Sequence, residues 1–349
     1  MKLITFLRTN AFLEPFRFIG NSLFRSRAAD EAIVRFCPDS LPYGMKHSAL
    51  KRDMMHEKSA RFFTFEEYFL YRLYALSKRE RKTFVSDYER VLLLKKLNRE
   101  ENAFVFFDKS ETYARFSGYY GREVMKIGPS DKKELREFAA RHEVFVVKPV
   151  RESFGNGVRI YRTAEIPDLW ARFKNEYPKG ALVEELIRQN QSVAALHPQS
   201  VNTLRLTTVR LDDRVEVLFG FMRAGVGDSI VDNGGAGGIF LGINGETGVV
   251  TEAVDEAGKR YLCHPETGVQ FIGSHVPMWR EAIALAKELA TVVPTNRYTG
   301  WDLALTDHGW IMVEGNEAGQ FVGYQIPFGR GIRPMLNKIF ENLGISPKI

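Results

Sequence analysis

Apolar and polar positions follow two rhythms along this chain, and the change comes near residue 100. In residues 1–100 the apolar residues recur at helical spacing. Three S/T-x-x-E signatures, Thr64-Phe-Glu-Glu67, Ser77-Lys-Arg-Glu80 and Ser86-Asp-Tyr-Glu89, each precede such a stretch. In that signature the hydroxyl accepts from the third backbone N–H while the acid reaches back, so several short helices are predicted. Lys95, Lys96 and Arg99 close the run Tyr88–Leu97, as the negative end of a helix favours. At the start, Leu3, Ile4, Leu7 and Ala11 share one helical face and Phe12, Phe16 and Ile19 extend a second stripe. Arg8, Arg17, Arg25 and Arg27 sit among them. The pattern predicts a helix packed on its own domain, with an interfacial helix as the alternative.

After Asn102 short runs replace the helical period. Ala103–Phe107 predicts a strand that stops at Asp108-Lys109. Asp131–Ala140 predicts a helix, and Val144–Val147 a buried strand. Arg159–Tyr161 and Leu182–Leu186 are further strands, with the helical stretch Asp168–Tyr177 between them. From Asn202 the chain alternates strongly. Thr203–Arg210, Val215–Met222, Gly237–Ile243 and Val249–Val254 predict a large antiparallel sheet with glycine-rich turns. Met278–Val293 follows as a helix, and Trp301–Leu305 with Trp310–Glu314 as a hairpin around Asp307-His308-Gly309. The fold class is α+β.

Composition bounds the function classes. The 349 residues, 44% hydrophobic and 26% charged, can fill sizeable cores and exclude a disordered, collagenous or disulfide-scaffold chain. Cys37 and Cys263 stand far apart and outside any metal-ligand spacing, which points to a reduced compartment and against a structural zinc site. Residues 1–100 hold 20 Lys/Arg against 12 Asp/Glu, a balance of +8, which leaves residues 101–349 at −2 of the overall +6. Such a basic front suits an anionic surface or partner, and equally a solvated helical face. Arg8, Asn10, Glu14 and Arg17 break the apolar start, so neither a spanning helix nor a secretory leader is expected. No basic recognition helix or RNP-type aromatic motif points to nucleic acid.

Candidate chemistry lies in three places. Val146-Val-Lys-Pro-Val-Arg-Glu-Ser-Phe-Gly-Asn-Gly-Val158 sends Lys148 out of a buried strand into a loop whose backbone N–H groups could cradle phosphate. It is not a P-loop, because a strand rather than a helix follows the glycines. The strand Leu182-Val-Glu-Glu-Leu-Ile187 ends in acids and could offer its backbone to an adenine edge. Asp302 and Glu314 sit at facing ends of the predicted hairpin with Asn316 two residues on, an oxygen set suited to Mg²⁺. Two carboxylates so close would repel without a cation.

This order resembles the ATP-grasp fold, two α/β lobes clasping ATP, here behind an N-terminal helical region. The resemblance runs from about Ala103 to Gly319. Asp108-Lys109 is similar to the Asp-Lys pair that opens such domains, and Lys148-Pro-Val-Arg-Glu-Ser resembles the second phosphate lysine of D-alanine–D-alanine ligases. Thr203-Leu-Arg205, Arg223 and Asp232-Asn233 before Gly237-Gly238 look like the glutamate ligases that modify ribosomal protein tails. Ser200–Arg205, Val231–Gly238, His264-Pro265 and Gly300-Trp-Asp302 with Glu314-Gly-Asn316 are most similar to the sugar-transfer-associated ATP-grasp family, relatives of α-L-glutamate ligases linked to surface polysaccharide synthesis.

The resemblance implies a helical region over 1–100, a nucleotide-binding lobe over 101–187 and a metal-binding lobe over 188–349. It implies ATP held by Lys109, Lys148, Glu152, Ser153, Gly155, Gly157, Glu184, Glu185, Leu186 and Asn233. Two Mg²⁺ ions, or Mn²⁺, would sit on Asp302, Glu314 and Asn316, with Arg205 and Arg223 as catalytic cations. Gly300 stands where D-alanine ligases carry an arginine, so Arg205 or Arg223 must supply the charge near the γ-phosphate. Glu185, Gln189 and Gln191 compete for the ribose.

The expected activity is carboxylate–amine ligation through an acyl-phosphate, on small, sugar- or lipid-linked substrates. Phosphoryl transfer to a hydroxyl is the runner-up and a non-catalytic binding module the third reading. His197 and His264, each beside a proline, read as turn or packing residues rather than phosphate carriers. A cytoplasmic protein is expected, with peripheral contact at the inner membrane face through residues 1–28.

Overall fold

The computed structural model describes residues 22–99, 103–151, 157–166, 168–229 and 237–348. The predicted stripes of residues 1–21 lie outside the described residues. The helices α1 (Ser22–Phe36), α2 (His47–Arg61), α3 (Phe65–Leu70), α4 (Lys78–Arg81) and α5 (Asp87–Leu94) form the front of the molecule. Thr64, Ser77 and Ser86 each close a complete capping box at the start of α3, α4 and α5, as their signatures predict. No described helix is long and apolar enough to cross a membrane.

The run Ala103–Phe107 is not a strand but the short helix α6, and Lys109–Phe116 follows as α7. Five apolar residues carry no period that separates the two states. The neighbours decide: Asp108 caps α7 by accepting from Ser110 N, and the Thr112 hydroxyl donates to Val105 O at 2.6 Å. Val105 and Phe106 are thereby buried, and Phe106 packs on Phe116 and Trp301.

A small sheet follows, made of β1 (Val124–Ile127), β2 (Val144–Pro149), β3 (Arg159–Arg162) and β4 (Ala181–Glu185) in the order β1-β4-β2-β3, all antiparallel. Helices α8 (Lys132–Arg141) and α9 (Leu169–Glu176) close a separate core with it around Phe138, Phe145, Tyr161 and Phe173.

After the short α10 (Gln191–Ala194), the large sheet comprises β5 (Leu204–Arg210), β6 (Val215–Ala224), β7 (Ile239–Ile243), β8 (Val250–Val254), β9 (Tyr298–Thr306) and β10 (Gly309–Asn316), ordered β10-β9-β5-β6-β7-β8. Helix α11 (Trp279–Val292) buries Ala282, Ala286 and Leu289 against Leu204, Leu206 and Leu303 on one face. On the other face Val209, Phe219, Phe240 and Tyr298 share a core with the N-terminal helices and with α12 (Val322–Phe328) and α13 (Arg333–Asn342). The front is stitched on by polar bonds as well. Gln325, fully buried, donates to Val85 O and accepts from Val85 N at 3.0 and 2.9 Å. Gly331 permits the closest crossing, since a Cβ there would lie 1.9 Å from the Thr83 carbonyl carbon.

Candidate active site

Alternation along β9 sends Trp301, Leu303 and Leu305 toward α11, so Gly300 and Asp302 face the other side, with Tyr298. Arg205 on β5 is the cross-strand partner of Asp302. On β10 the register slips: Met312 pairs with Leu303, but Glu314, not Val313, pairs with Asp302. A one-residue bulge at Val313 therefore turns Glu314 onto the face of Asp302. The outcome is a row Arg205–Asp302–Glu314 across three strands, with Asn316 opposite Gly300.

Asp302 is almost fully buried and carries two cations. Arg205 donates a fork to both carboxylate oxygens at 2.5 and 2.6 Å, and Arg223 lies 3.1 Å from one of them. Arg223 also donates to the Thr203 hydroxyl at 2.7 Å. Burial alone would raise the Asp302 carboxyl, but Arg205 and Arg223 hold it below the usual carboxylate range. Gly300 makes room for the fork, because a Cβ there would meet Arg205 Nη1 at 3.1 Å and its Cδ at 3.2 Å. Arg205 thus takes up the space above residue 300.

The small sheet contributes a second charged knot. Lys148 on β2 donates to Glu184 on β4 at 2.8 Å, and Arg122 donates to the same carboxylate at 2.7 and 3.1 Å. Burial pushes Glu184 up, yet Lys148 and Arg122 outweigh it and bring the carboxyl down to about 2. Lys148 itself is lowered, chiefly by burial and then by Arg122, against the pull of Glu184 and of Glu314. Arg122 closes the join, since it also donates to Tyr120 O and to Met312 O on β10, each at 2.9 Å. Sequence reading missed Arg122, as a lone arginine before a short strand carries no local mark of burial.

The other expected residues are placed as follows. Lys109 opens α7, and its backbone N–H donates to Val150 O at 2.8 Å, tying it to the segment after Lys148. Asp108 pairs with Arg151 at 2.9 Å. Gly157 is required by its φ of +72° and by Pro149, whose Cγ would lie 2.7 Å from a Cβ. Glu152, Ser153, Gly155 and Asn233 lie outside the described residues. Glu184 is a buried counter-ion of Lys148 and Arg122. The Glu185 N–H is spent on Glu123 O at 2.9 Å, so Leu186 is the first residue past the ladder. Gln189 brackets the Asn202 backbone through both ends of its amide, at 3.0 Å each, and Gln191 opens α10.

His197 and His264 are spent on structure. Their Nε2–H groups donate to Gly227 O and Gly225 O at 2.8 Å. The Nδ1 atoms then accept from Ser200 and from the Glu266 and Thr267 amides.

Among the described residues no three His, Cys, Asp or Glu side chains converge on a metal. The candidate set instead holds two carboxylates and an amide. Asn316 has a buried Nδ2 without a partner, and its Oδ1 is the atom of that amide that could ligate a cation. Oxygen donors of this kind suit Mg²⁺.

Two antiparallel sheets, one carrying a strand-borne lysine and the other a carboxylate row, are joined through Arg122, and the sequence match makes this an ATP-grasp protein. The family model described as sugar-transfer associated ATP-grasp matches residues 89–341, and the chain belongs to that family. No curated protein matches. Among solved structures, the ATP-grasp ligase PsnB complexed with minimal precursor, Mg and ADP is 15% identical, with a TM-score of 0.42 over 71% of this chain and 62% of that one. The VanG D-Ala:D-Ser ligase from Enterococcus faecalis is 14% identical, with a TM-score of 0.43 over 68% of this chain and 61% of that one. The D-alanine–D-alanine ligase from Helicobacter pylori is 13% identical, with a TM-score of 0.43 over 75% and 67%. The chain thus spans under two thirds of the length of the first two.

Proposed function

We propose that the protein is an ATP-dependent carboxylate–amine ligase that forms an amide through an acyl-phosphate. The observation that carries this reading is that Arg122 ties the Lys148–Glu184 pair of the small sheet to β10, the strand that carries Glu314 of the row Arg205–Asp302–Glu314. A carboxylate is a poor acylating agent, and phosphorylation by ATP gives it a leaving group. Membership of an ATP-grasp family supports the choice of nucleotide.

Lys109 and Lys148 would hold the phosphates. Glu184, kept ionised, aims Lys148, and Arg122 in turn fixes Glu184. Mg²⁺, as one or two ions, or Mn²⁺, would be held by Asp302, Glu314 and Asn316. Bound there it neutralises phosphate charge during transfer. Arg205 and Arg223 would steady the transferred phosphoryl group and then the tetrahedral oxyanion. Their shared anchor on Asp302 fixes both guanidinium groups before substrate arrives, so little reorganisation is needed.

The substrate class we favour is a sugar- or amino-acid-type carboxylate in surface polysaccharide or related biosynthesis, handled at the cytoplasmic face. The family description and the basic front support it. The deciding experiment measures ADP release against a panel of amino acids and uronic acids, with mass spectrometry of the product. An amide with free phosphate supports the ligase. A stable phosphate ester would assign a phosphotransferase instead, and no turnover on any pair would leave a binding module.

A further inference from the structure

The backbone just past the candidate metal residues is held by three consecutive carbonyl oxygens. β10 ends at Asn316, so residues 317–319 have no strand ladder to place them. Asn98 Nδ2 donates to Glu317 O at 2.7 Å, Arg90 Nη1 donates to Ala318 O, and the Tyr298 hydroxyl donates to Gly319 O at 2.9 Å. The first two donors come from the helical front, 219 and 228 positions earlier in the chain.

Arg90 lies on α5, almost fully buried, and its Nε donates to Asp87 at 2.7 Å. The Asp87 N–H in turn donates to Glu67 Oε1 at 2.6 Å, which ties the guanidinium to the capping box of α3. Asn98 holds more than one carbonyl. Its Nδ2 also donates to Tyr298 O at 2.9 Å, and its Oδ1 accepts from Tyr298 N at 2.8 Å. One amide therefore grips the first residue of β9 and the first residue past β10. These are the open ends of the hairpin, where strands fray unless tied. Asn316 pairs with Gly300 at that end, and Glu314 with Asp302 is the next facing pair on the same face. The segment also reaches Arg205. A Cβ on Gly319 would lie 3.5 Å from Arg205 Nη1 and 3.6 Å from Gly300 Cα, so residues 317–319 turn back beside the arginine that forks Asp302.

We propose that Arg90 and Asn98 are positioning residues of the active site, setting the backbone after Asn316 and with it the placing of the carboxylate row. The inference rests on the metal assignment made above and extends it to the helical front. The front is then a working part of the site as well as a cover for the sheet. Groups one step behind a metal ligand change metal affinity by about ten-fold or more.

The test is calorimetric: AMPPNP is titrated into full-length protein at a series of Mg²⁺ concentrations. Asn98→Ala should raise the Mg²⁺ concentration needed for binding about ten-fold and leave affinity in EDTA unchanged. Asp87→Asn combined with Arg90→Met removes both buried charges together, so neither is stranded, and should raise the requirement likewise. Gln325→Ala cuts a different bond between the front and the body, at Val85, without touching residues 317–319. It should lower the thermal midpoint and leave the Mg²⁺ requirement where it was. Glu314→Gln is the reference for a lost ligand. A raised requirement in Asn98→Ala and not in Gln325→Ala supports the inference. An unmoved requirement in Asn98→Ala, or an equal rise in Gln325→Ala, would overturn it. If Asn98→Ala is silent while Glu314→Gln responds, this inference alone falls; if both are silent, the metal assignment falls with it.

Discussion

Arg122 grips Glu184 through two guanidinium nitrogens, at 2.7 and 3.1 Å, and spends its remaining nitrogen on the backbone carbonyls of Tyr120 and Met312. One side chain thus joins the small sheet, the large sheet and the counter-ion of Lys148. Both partners are almost fully buried, with 3% of each side chain exposed.

Breaking a buried pair from one side leaves an uncompensated charge, which costs about 3–5 kcal/mol. Arg122→Met is therefore expected to lower the thermal midpoint by several degrees. Arg122→Lys should not recover it, because an ammonium cannot reach Glu184, Tyr120 and Met312 together. Adding Glu184→Gln to Arg122→Met should cost less than the sum of the single changes. Calorimetry on the wild type and these four variants, Glu184→Gln alone included, checks this.

Gly300→Ala puts a methyl group 3.1 Å from Arg205 Nη1, tighter than the fork can accommodate without shifting. The arginine would move while the strand stays, so ADP release should fall about ten-fold, a small misplacement of a catalytic group being enough. The thermal midpoint should change little. Unaltered turnover would mean that Arg205 does not act in the reaction.

Glu314→Gln keeps the size of the side chain and removes its charge. Turnover should be lost with the fold intact by circular dichroism, and the Mg²⁺ concentration needed for nucleotide binding should rise. A Glu314→Ala enzyme that still releases ADP would refute the metal assignment.

Stability should decline in acid through named groups. Glu184 is held down to about 2 by Lys148 and Arg122 against burial, and Asp302 is likewise lowered by Arg205 and Arg223. The unfolded chain takes up these protons first, near 4–4.5. Their stabilisation is therefore complete above that range and is lost as pH falls toward 2. Chemical denaturation between pH 6 and 2.5 should show the loss, and Glu184→Gln should flatten it.

The amino-terminal segment offers a membrane test. Ala29 and Ile33 of α1 are buried in the helical core, whereas Arg27 and Glu31 form an exposed pair. If residues 1–28 hold the protein at an anionic surface, full-length protein should float with anionic liposomes at low salt and a chain lacking those residues should not. Equal and poor flotation of both would exclude the contact.

Much of the fold is legible in residue order because it depends on neighbours in sequence. Capping boxes at Thr64, Ser77 and Ser86 act over three residues, and the alternation in Leu204–Arg210 or Tyr298–Thr306 is a period of two. Lys148, Glu314 and Asn316 could be singled out because each lies at or near the end of a strand, and Asp302 because it stands on the neighbouring strand of the predicted hairpin. Ala103–Phe107 escaped this logic, since its helix is set by Asp108, Thr112 and the cover of Trp301.

What the tertiary structure alone decided concerns register and charge balance. The bulge at Val313 determines that Glu314 opposes Asp302, and a slip of one residue would have turned it to the other face. Gly300 yields its space to an arginine 95 positions earlier in the chain. Arg122 acquires its role only when Glu184 and Met312 are brought beside it from 62 and 190 residues away. Residue order sets local periods and the chemical types at each position. Which charges neutralise one another is settled by contacts between strands distant in sequence, where burial makes an unmatched ion too costly to keep.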